Sequence, residues 1–400
     1  MKKTVLSIPA SKSISNRLLI LQYLYPELKI QNLSTAKDTH VLQQALANLQ
    51  ISKDGDTVAI NIGHAGTAMR FLTALAAVLP NRQVKLDGSA RMRQRPIRIL
   101  VDTLRNLGAD ISYLQQEGFP PLSIKGKKIS RSQVEINARV SSQYITALLL
   151  IAPRLPYGLS LQLVGETVSL PYIEMTLRIL QALGIKTRVD ETGIHIAPQT
   201  HLTRNHFDVE GDWSSASYFY GALALLKNQQ LILKNFDENS LQGDRKIVDY
   251  FVRLGIETQF LPGHKILLQP VKNYRKPDFI SFDLLDTPDI AQTLAVTCLG
   301  LGIKCRLTGL RTLRIKETDR LKALQNELQK LGAKVHITGD ALEIKDAGIE
   351  QTQVEIATYD DHRMAMSFAV LQKNYPDIRI ANPEVVVKSF PGFWELLAEV

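Results

Sequence analysis

The chain has 400 residues, 45% hydrophobic and 22% charged, with 48 Lys and Arg against 39 Asp and Glu for a net charge of +9. Those proportions exclude a disordered chain, a collagen and a coiled coil, and the length calls for two or more domains. Two cysteines, Cys298 and Cys305, exclude a disulfide framework, no Cys/His spacing resembles a zinc site, and the longest apolar stretches, such as 145–153, are too short to cross a bilayer. The N-terminal MKKTVLSIPASKS lacks an apolar stretch of signal-peptide length and reads as mature sequence. The expectation is a soluble cytoplasmic protein with an anionic partner.

Two kinds of helix alternate along the chain. The first kind starts in small or polar residues and turns almost wholly apolar, the mark of a buried helix. It is predicted near Ser11 (SKSISNRLLILQYL), His64 (HAGTAMRFLTALAAVL) and Ser141 (SSQYITALLLIAP), then near Asp212 (DWSSASYFYGALALL), Thr287 (TPDIAQTLAVTCLG) and Asp361 (DHRMAMSFAVLQ). The second kind is amphipathic and closes on Leu-Gly before a strand, as at Leu107-Gly108, Leu183-Gly184, Leu254-Gly255 and Leu331-Gly332. Glycine in the left-handed conformation explains that ending. These pairs lie 76, 71 and 77 residues apart. VLQQALANLQIS is a looser copy before the first, and FWELLAEV a possible one at the end. Strand-rich segments such as SLQLVGE and QVEINARV separate the helices. Six units of about 67 residues are too few for a solenoid, so three per domain is the natural grouping, in an α/β architecture of sheets around buried helices.

The helix starts hold the chemistry. A helix N-terminus is already positive, yet Lys12, Arg17, Arg70 and Arg363 sit at or near such starts, and Lys316 and Arg320 sit in KETDR, where Thr318 and Asp319 open an amphipathic helix. Cations at positive helix ends make sense if an anion binds there. For Lys12, Arg17 and Arg363 the neighbouring buried helix favours a ligand. For Arg91, Arg93, Arg98 and Arg105 an ordinary surface role is equally open. Asp289, after Pro288, reads equally as a helix cap or an acid/base group; Glu317, between Lys316 and Arg320, reads equally as an ion-pair partner or an acid/base group. No run of Lys and Arg exceeds two residues and aromatics are 6%, which disfavours nucleic acid. Phosphate-loop, dinucleotide and nucleophile-elbow motifs are missing from the sequence.

Ten segments in order then resemble one family: SKSISNR, AGTAMR, RMRQRP, SSQYITALL, SLPYIEMT, GDWSSASYF, TPDIAQTLAV, RIKETDRL, DDHRMAM and KSFPGF. The chain is similar over nearly its whole length to the 5-enolpyruvylshikimate-3-phosphate (EPSP) synthases. The resemblance implies two similar domains of three βαβαββ-like units. Residues 1–10 and 211–400 would form the phosphoenolpyruvate-side domain and 11–210 the shikimate 3-phosphate-side domain, with the active site in the cleft between them. It implies transfer of the enolpyruvyl group of phosphoenolpyruvate to the 5-hydroxyl of shikimate 3-phosphate, with loss of phosphate. It also implies a monomer that needs no cofactor or metal and that glyphosate inhibits.

Matched position by position, the shikimate 3-phosphate set is Lys12, Ser13, Arg17, Ser141, Ser142, Gln143, Ser169, Tyr172, Asp289 and Lys316. The phosphoenolpyruvate set is Lys12, Gly66, Arg95, Gln143, Arg320, Arg363 and Lys388. Asp289 would be the base toward the 5-hydroxyl; Glu317 and Lys12 are alternative proton donors. Thr67 and His362 are further candidates. The chain departs from the family pattern at His64 (usually Asn), Phe71 (often Pro), Ala10 (usually Gly), Thr312 (often Asn) and the large Trp213. His64 and Thr312 bear on contacts to the ligands and Phe71 on glyphosate inhibition. The rival readings are enolpyruvyl transfer to UDP-N-acetylglucosamine, a non-catalytic binder of phosphorylated ligands, and RNA binding. Cysteines confined to apolar surroundings argue against the first, and the retention of Asp289, Glu317 and Lys388 against the second.

Overall fold

The computed structural model describes residues 2–139, 141–165, 169–226 and 229–400. Met1 of the expected 1–10 segment and Glu166 of SLQLVGE lie outside the described residues. The chain divides into two compact units. One comprises Met1–Ser11, Thr35–Lys37 and Glu210–Val400; the other comprises Lys12–Ser34 and Asp38–Val209. Among the described residues no helix is long and apolar enough to cross a membrane.

One plan recurs. In the second unit, strand Thr57–Asn61 leads to the buried helix Gly66–Ala77, and strand Gln83–Asp87 then pairs parallel to the first. The amphipathic helix Arg98–Leu107 and the antiparallel strands Asp110–Tyr113 and Leu122–Lys125 complete a four-stranded sheet. The run 133–196 repeats this order in the same unit. In the first unit, 279–346 repeats it again, and a fourth sheet joins Lys2–Ser7 to Gln229–Lys234, Lys265–Pro270 and Ile256–Leu261. Two units stop at βαβα and lack the final hairpin. Their sheets are parallel pairs, Lys29–Gln31 with His206–Asp208 and Glu355–Ile356 with Arg379–Ile380. The six-unit expectation stands as four whole copies and two short ones. Strands of two or three residues carry too little pattern to be seen in sequence.

The two kinds of helix take the places their residues dictate. The starts predicted from polar-to-apolar runs become Lys12–Leu24, Gly66–Ala77 and Ser142–Ile151 in one unit, which pack on one another. In the other they become Trp213–Leu226, Ala291–Leu301 and His362–Ala369, again mutually packed. Every residue of Gly66–Ala77 except Thr67 is buried. At about 1.5–3 kcal/mol for each large apolar side chain, such helices are the main source of each core's stability. The amphipathic helices end at Gly108, Gly184, Gly255 and Gly332, with φ of 108°, 83°, 92° and 101°, a region other residues rarely enter. Trp213 is fully buried, edge-on to Phe236 at 4.7 Å, so its bulk is absorbed by the core. Cys298 and Cys305 are buried free thiols.

Candidate active site

In the unit holding Lys12–Ser34 and Asp38–Val209, the buried helices bring their starts together. Lys12 opens the first of them, and its Nζ pairs with Asp38 at 3.3 Å. Arg17, buried within the same helix, donates from Nε to Thr176 Oγ1 at 2.8 Å and from Nη1 to the Ser13 carbonyl at 2.7 Å. Its Nη2 donates to the Tyr172 carbonyl at 3.0 Å and to Thr146 Oγ1 at 3.4 Å. Burial lowers its pKa to about 10. Its guanidinium lies 5.8 Å from the centre of the Phe71 ring, which gives that departure from the family pattern a packing role. Arg17 therefore ties three helices together: Lys12–Leu24, Ser142–Ile151 and Leu170–Ala182.

Gly66 and Arg95 form a close pair. A Cβ added to Gly66 would lie 2.5 Å from Arg95 Nη1. Arg95 is buried, and its Nε has no partner among the described residues. A buried cation without a counter-charge is costly unless an anion meets it. Arg70 fixes the surroundings, donating from Nη1 to the Gly66 carbonyl at 3.2 Å and from Nη2 to the Pro96 carbonyl at 3.0 Å. Tyr144 Oη donates to the same Pro96 carbonyl at 2.5 Å. Ser141 caps its helix by accepting from Gln143 N at 3.3 Å, Ser142 is the first helical residue, and Gln143 Nε2 reaches Thr67 Oγ1 at 3.4 Å. Ser169 is buried with a left-handed φ of 55°, and its carbonyl accepts from Tyr172 N at 3.1 Å. His64 is exposed, with Nδ1 3.1 Å from Ser89 Oγ. Of the open arginines, exposed Arg93 pairs with Asp87, half-buried Arg105 lies near Asp102 and Glu117, half-buried Arg91 donates to Gln94, and Arg98 is exposed.

The other unit holds a denser charge network. Asp289 stands in the turn Pro288–Ile290 before a buried helix. Its Oδ2 meets Arg363 Nη2 at 2.9 Å, and its Oδ1 meets Arg320 Nη1 at 3.1 Å and Lys316 Nζ at 3.5 Å. Glu317 Oε2 accepts from Arg320 Nη2 at 3.0 Å, and Oε1 from Lys388 Nζ at 2.8 Å. Arg320 donates through Nε to Asp361 Oδ2 at 2.6 Å. Asp361 Oδ1 also accepts from Arg363 N at 2.9 Å, capping that helix. Burial raises the Asp289 carboxyl pKa, but Arg363, Lys316 and Arg320 overcome it and hold the group well below the usual carboxylate range. Burial lowers the Arg320 pKa, and Asp361, Glu317 and Asp289 more than reverse that. His362 is buried beside this cap, and Thr312 Oγ1 is buried with no partner among the described residues.

Two counter-charges, one in each unit, were not visible as such in the sequence. Asp361 reads there only as a helix start, although a carboxylate two residues before Arg363 is a capping signal. The segment before it is strained: Tyr359 and Asp360 have φ of 55° and 53°. Such residues cost about 1–3 kcal/mol each and persist where neighbours hold them. Fully buried Glu327 does so, accepting from Tyr359 Oη at 2.6 Å and from Ala357 N at 2.9 Å. Asp38, the partner of Lys12, carries no local signal at all.

The model of one family, EPSP synthase (3-phosphoshikimate 1-carboxyvinyltransferase), matches residues 1–397. The chain belongs to the EPSP synthase family. A 3-phosphoshikimate 1-carboxyvinyltransferase of Bacteroides fragilis is 43% identical over 397 residues, covering 98% of this chain and 94% of that protein. One from Pasteurella multocida is 35% identical over 416 residues, covering 97% and 93%. The solved EPSP synthase of Acinetobacter baumannii superposes with a TM-score of 0.75 at 22% identity, over 99% of this chain and 95% of that one, a likeness of fold. The expected α/β fold class of the EPSP synthases is borne out.

Proposed function

We infer that the chain transfers the enolpyruvyl group of phosphoenolpyruvate to the 5-hydroxyl of shikimate 3-phosphate and releases phosphate, the reaction of the EPSP synthase family. One observation carries the residue assignment: a mostly covered carboxylate, Asp289, ringed by three cations at 2.9–3.5 Å. Two substrates bearing phosphates and carboxylates need such a set of cations, and a hydroxyl that must become a nucleophile needs such a base. In this reading Arg320, Arg363 and Lys388, with Gly66, Arg95 and Gln143, serve phosphoenolpyruvate. Ser13, Arg17, Ser141, Ser142, Gln143, Ser169, Tyr172, Asp289 and Lys316 serve shikimate 3-phosphate, and Lys12 serves both.

The hydroxyl oxygen bonds to C2 of phosphoenolpyruvate while Asp289 takes its proton. A proton from Glu317 or Lys12 goes to the methylene carbon, giving a tetrahedral intermediate. That carbon then returns a proton to the same group, the C2–phosphate bond breaks, and the hydroxyl's proton leaves with inorganic phosphate. The cations that hold Asp289 below the usual range are those assigned to the substrates. Shared with substrate anions, they release it toward a pKa suited to a base. Phosphorus NMR tests this reading. With both substrates present, one inorganic phosphate and one enolpyruvyl ether should appear per phosphoenolpyruvate consumed; phosphate without the ether would contradict it. The reading takes the protein to act as a cytoplasmic monomer, and a scattering mass of one chain with both substrates present checks the oligomeric part.

A sharper expectation concerns Gly66. In Gly66→Ala the new methyl displaces the Arg95 guanidinium, the movable end of a flexible side chain. The fold should be little affected, with Tm within about 2 °C, since a small stability change moves Tm only a few degrees. The KM for phosphoenolpyruvate should rise about 10-fold or more, equivalent to ~1.4 kcal/mol, while that for shikimate 3-phosphate holds. An unchanged KM for phosphoenolpyruvate would remove Arg95 from that site.

A further inference from the structure

Asp244 lies in the short turn Gly243–Lys246, outside every motif that the sequence singles out, and is only 5% exposed. Its Oδ2 accepts the Ser214 hydroxyl, and its Oδ1 is buried with no partner among the described residues. Its neighbours on the turn do not neutralise it: Arg245 stacks on Phe260 at 5.2 Å, and Lys246 pairs with Asp286 at 2.7 Å. A buried carboxylate with one satisfied oxygen burdens the fold. Ser214 links it to the site. That hydroxyl has one hydrogen, directed at Asp244, so its lone pairs face Arg363 Nη2 at 3.4 Å. The same Nη2 is the nitrogen that meets Asp289 at 2.9 Å.

We propose that Asp244 is a positioning residue for Arg363, acting through the Ser214 hydroxyl. This inference rests on the reading of the site given above. When Asp289 turns from Arg363 to the acceptor hydroxyl, Nη2 needs another acceptor to stay in place. Ser214, oriented by the Asp244 charge, supplies it, and with Tyr218, whose Oη accepts from Nη1 at 3.5 Å, keeps the guanidinium in place for the phosphoenolpyruvate anion. A carboxylate that costs the fold stability is then retained because it holds a ligand-binding cation.

Charge supports the geometry. Burial first, and then Asp289 and Asp212, raise the Asp244 carboxyl to about 6, while the Ser214 hydrogen bond and Arg363 lower it. A carboxyl raised in the folded state favours folding less as pH climbs from the unfolded value, about 4, through about 6. Asp244→Asn should therefore be at least as stable as the native protein at pH 7.5. A purely structural role predicts the opposite.

The test is steady-state kinetics and thermal unfolding of Asp244→Asn and Ser214→Ala beside the native enzyme. At pH 7.5 both variants should raise the KM for phosphoenolpyruvate about 10-fold with the KM for shikimate 3-phosphate within about 2-fold, and Asp244→Asn should keep its Tm. The native kcat/KM for phosphoenolpyruvate should fall below pH about 6, and Asp244→Asn should lack that limb. A native KM in Ser214→Ala, or an Asp244→Asn that is less stable with native KM, overturns the proposal. If the native enzyme releases no phosphate with shikimate 3-phosphate, the functional reading itself fails, which separates the two failures.

Discussion

Asp289→Asn should lower kcat by about 10²–10⁴-fold, the range in which a positioned base contributes, with the shikimate 3-phosphate KM changed far less. The reason is local. The amide keeps the shape of the carboxylate but removes both the proton acceptor and the charge that Arg363, Arg320 and Lys316 share. Removing one partner from a buried ion network costs about 3–5 kcal/mol, so Tm should also fall at neutral pH. The sign follows from the depressed pKa of Asp289. That stability is present in the native protein above the unfolded carboxylate value of about 4, and is lost only as pH falls through the lower folded value. Native and variant Tm should therefore diverge at pH 7 and converge in strong acid. Inorganic phosphate should restore part of the variant's Tm by meeting the same cations, and none of its turnover. A variant that keeps native kcat would remove Asp289 from the chemistry and leave it an ion-pair partner.

Lys12→Met should lower kcat by about 10³-fold or more, since in the proposed reaction it removes a cation from developing negative charge, where one lost donor alone costs about 10²–10³. It also leaves Asp38, 7% exposed, without the Nζ that meets it at 3.3 Å. Some Tm loss should follow from that orphaned carboxylate. The double variant Lys12→Met with Asp38→Asn separates the effects: Tm should return and kcat should not. If kcat returned with Tm, Lys12 would be holding the fold and nothing more. The comparison also bears on the proton donor. A Lys12→Met enzyme that still exchanges solvent deuterium into the methylene group of phosphoenolpyruvate would assign that proton to Glu317.

What the sequence shows and what it hides divide along sequence distance. Leu-Gly endings mark helix termini because the left-handed φ at Gly108, Gly184, Gly255 and Gly332 is a local demand. Buried helices show themselves because Gly66–Ala77 and Ala291–Leu301 have no polar face. Cations at helix starts point to anions by the helix's own charge. The counter-charges stay hidden. Asp38 meets Lys12 across 26 residues and Asp361 meets Arg320 across 41, and each is an ordinary acidic residue in its own segment. Arg17 shows the same limit from the other side. Its pattern marks it as a ligand group, and its further tasks within the protein, where Nε and both Nη atoms serve Thr176, Ser13 and Tyr172, leave no mark in the sequence.

The most direct measurement follows phosphate release from phosphoenolpyruvate with each of two acceptors, shikimate 3-phosphate and UDP-N-acetylglucosamine. Release with shikimate 3-phosphate alone is the predicted result, and Asp289→Asn should abolish it in the same assay. Release with the sugar nucleotide alone would keep the fold and contradict the acceptor, and release with neither would contradict the activity.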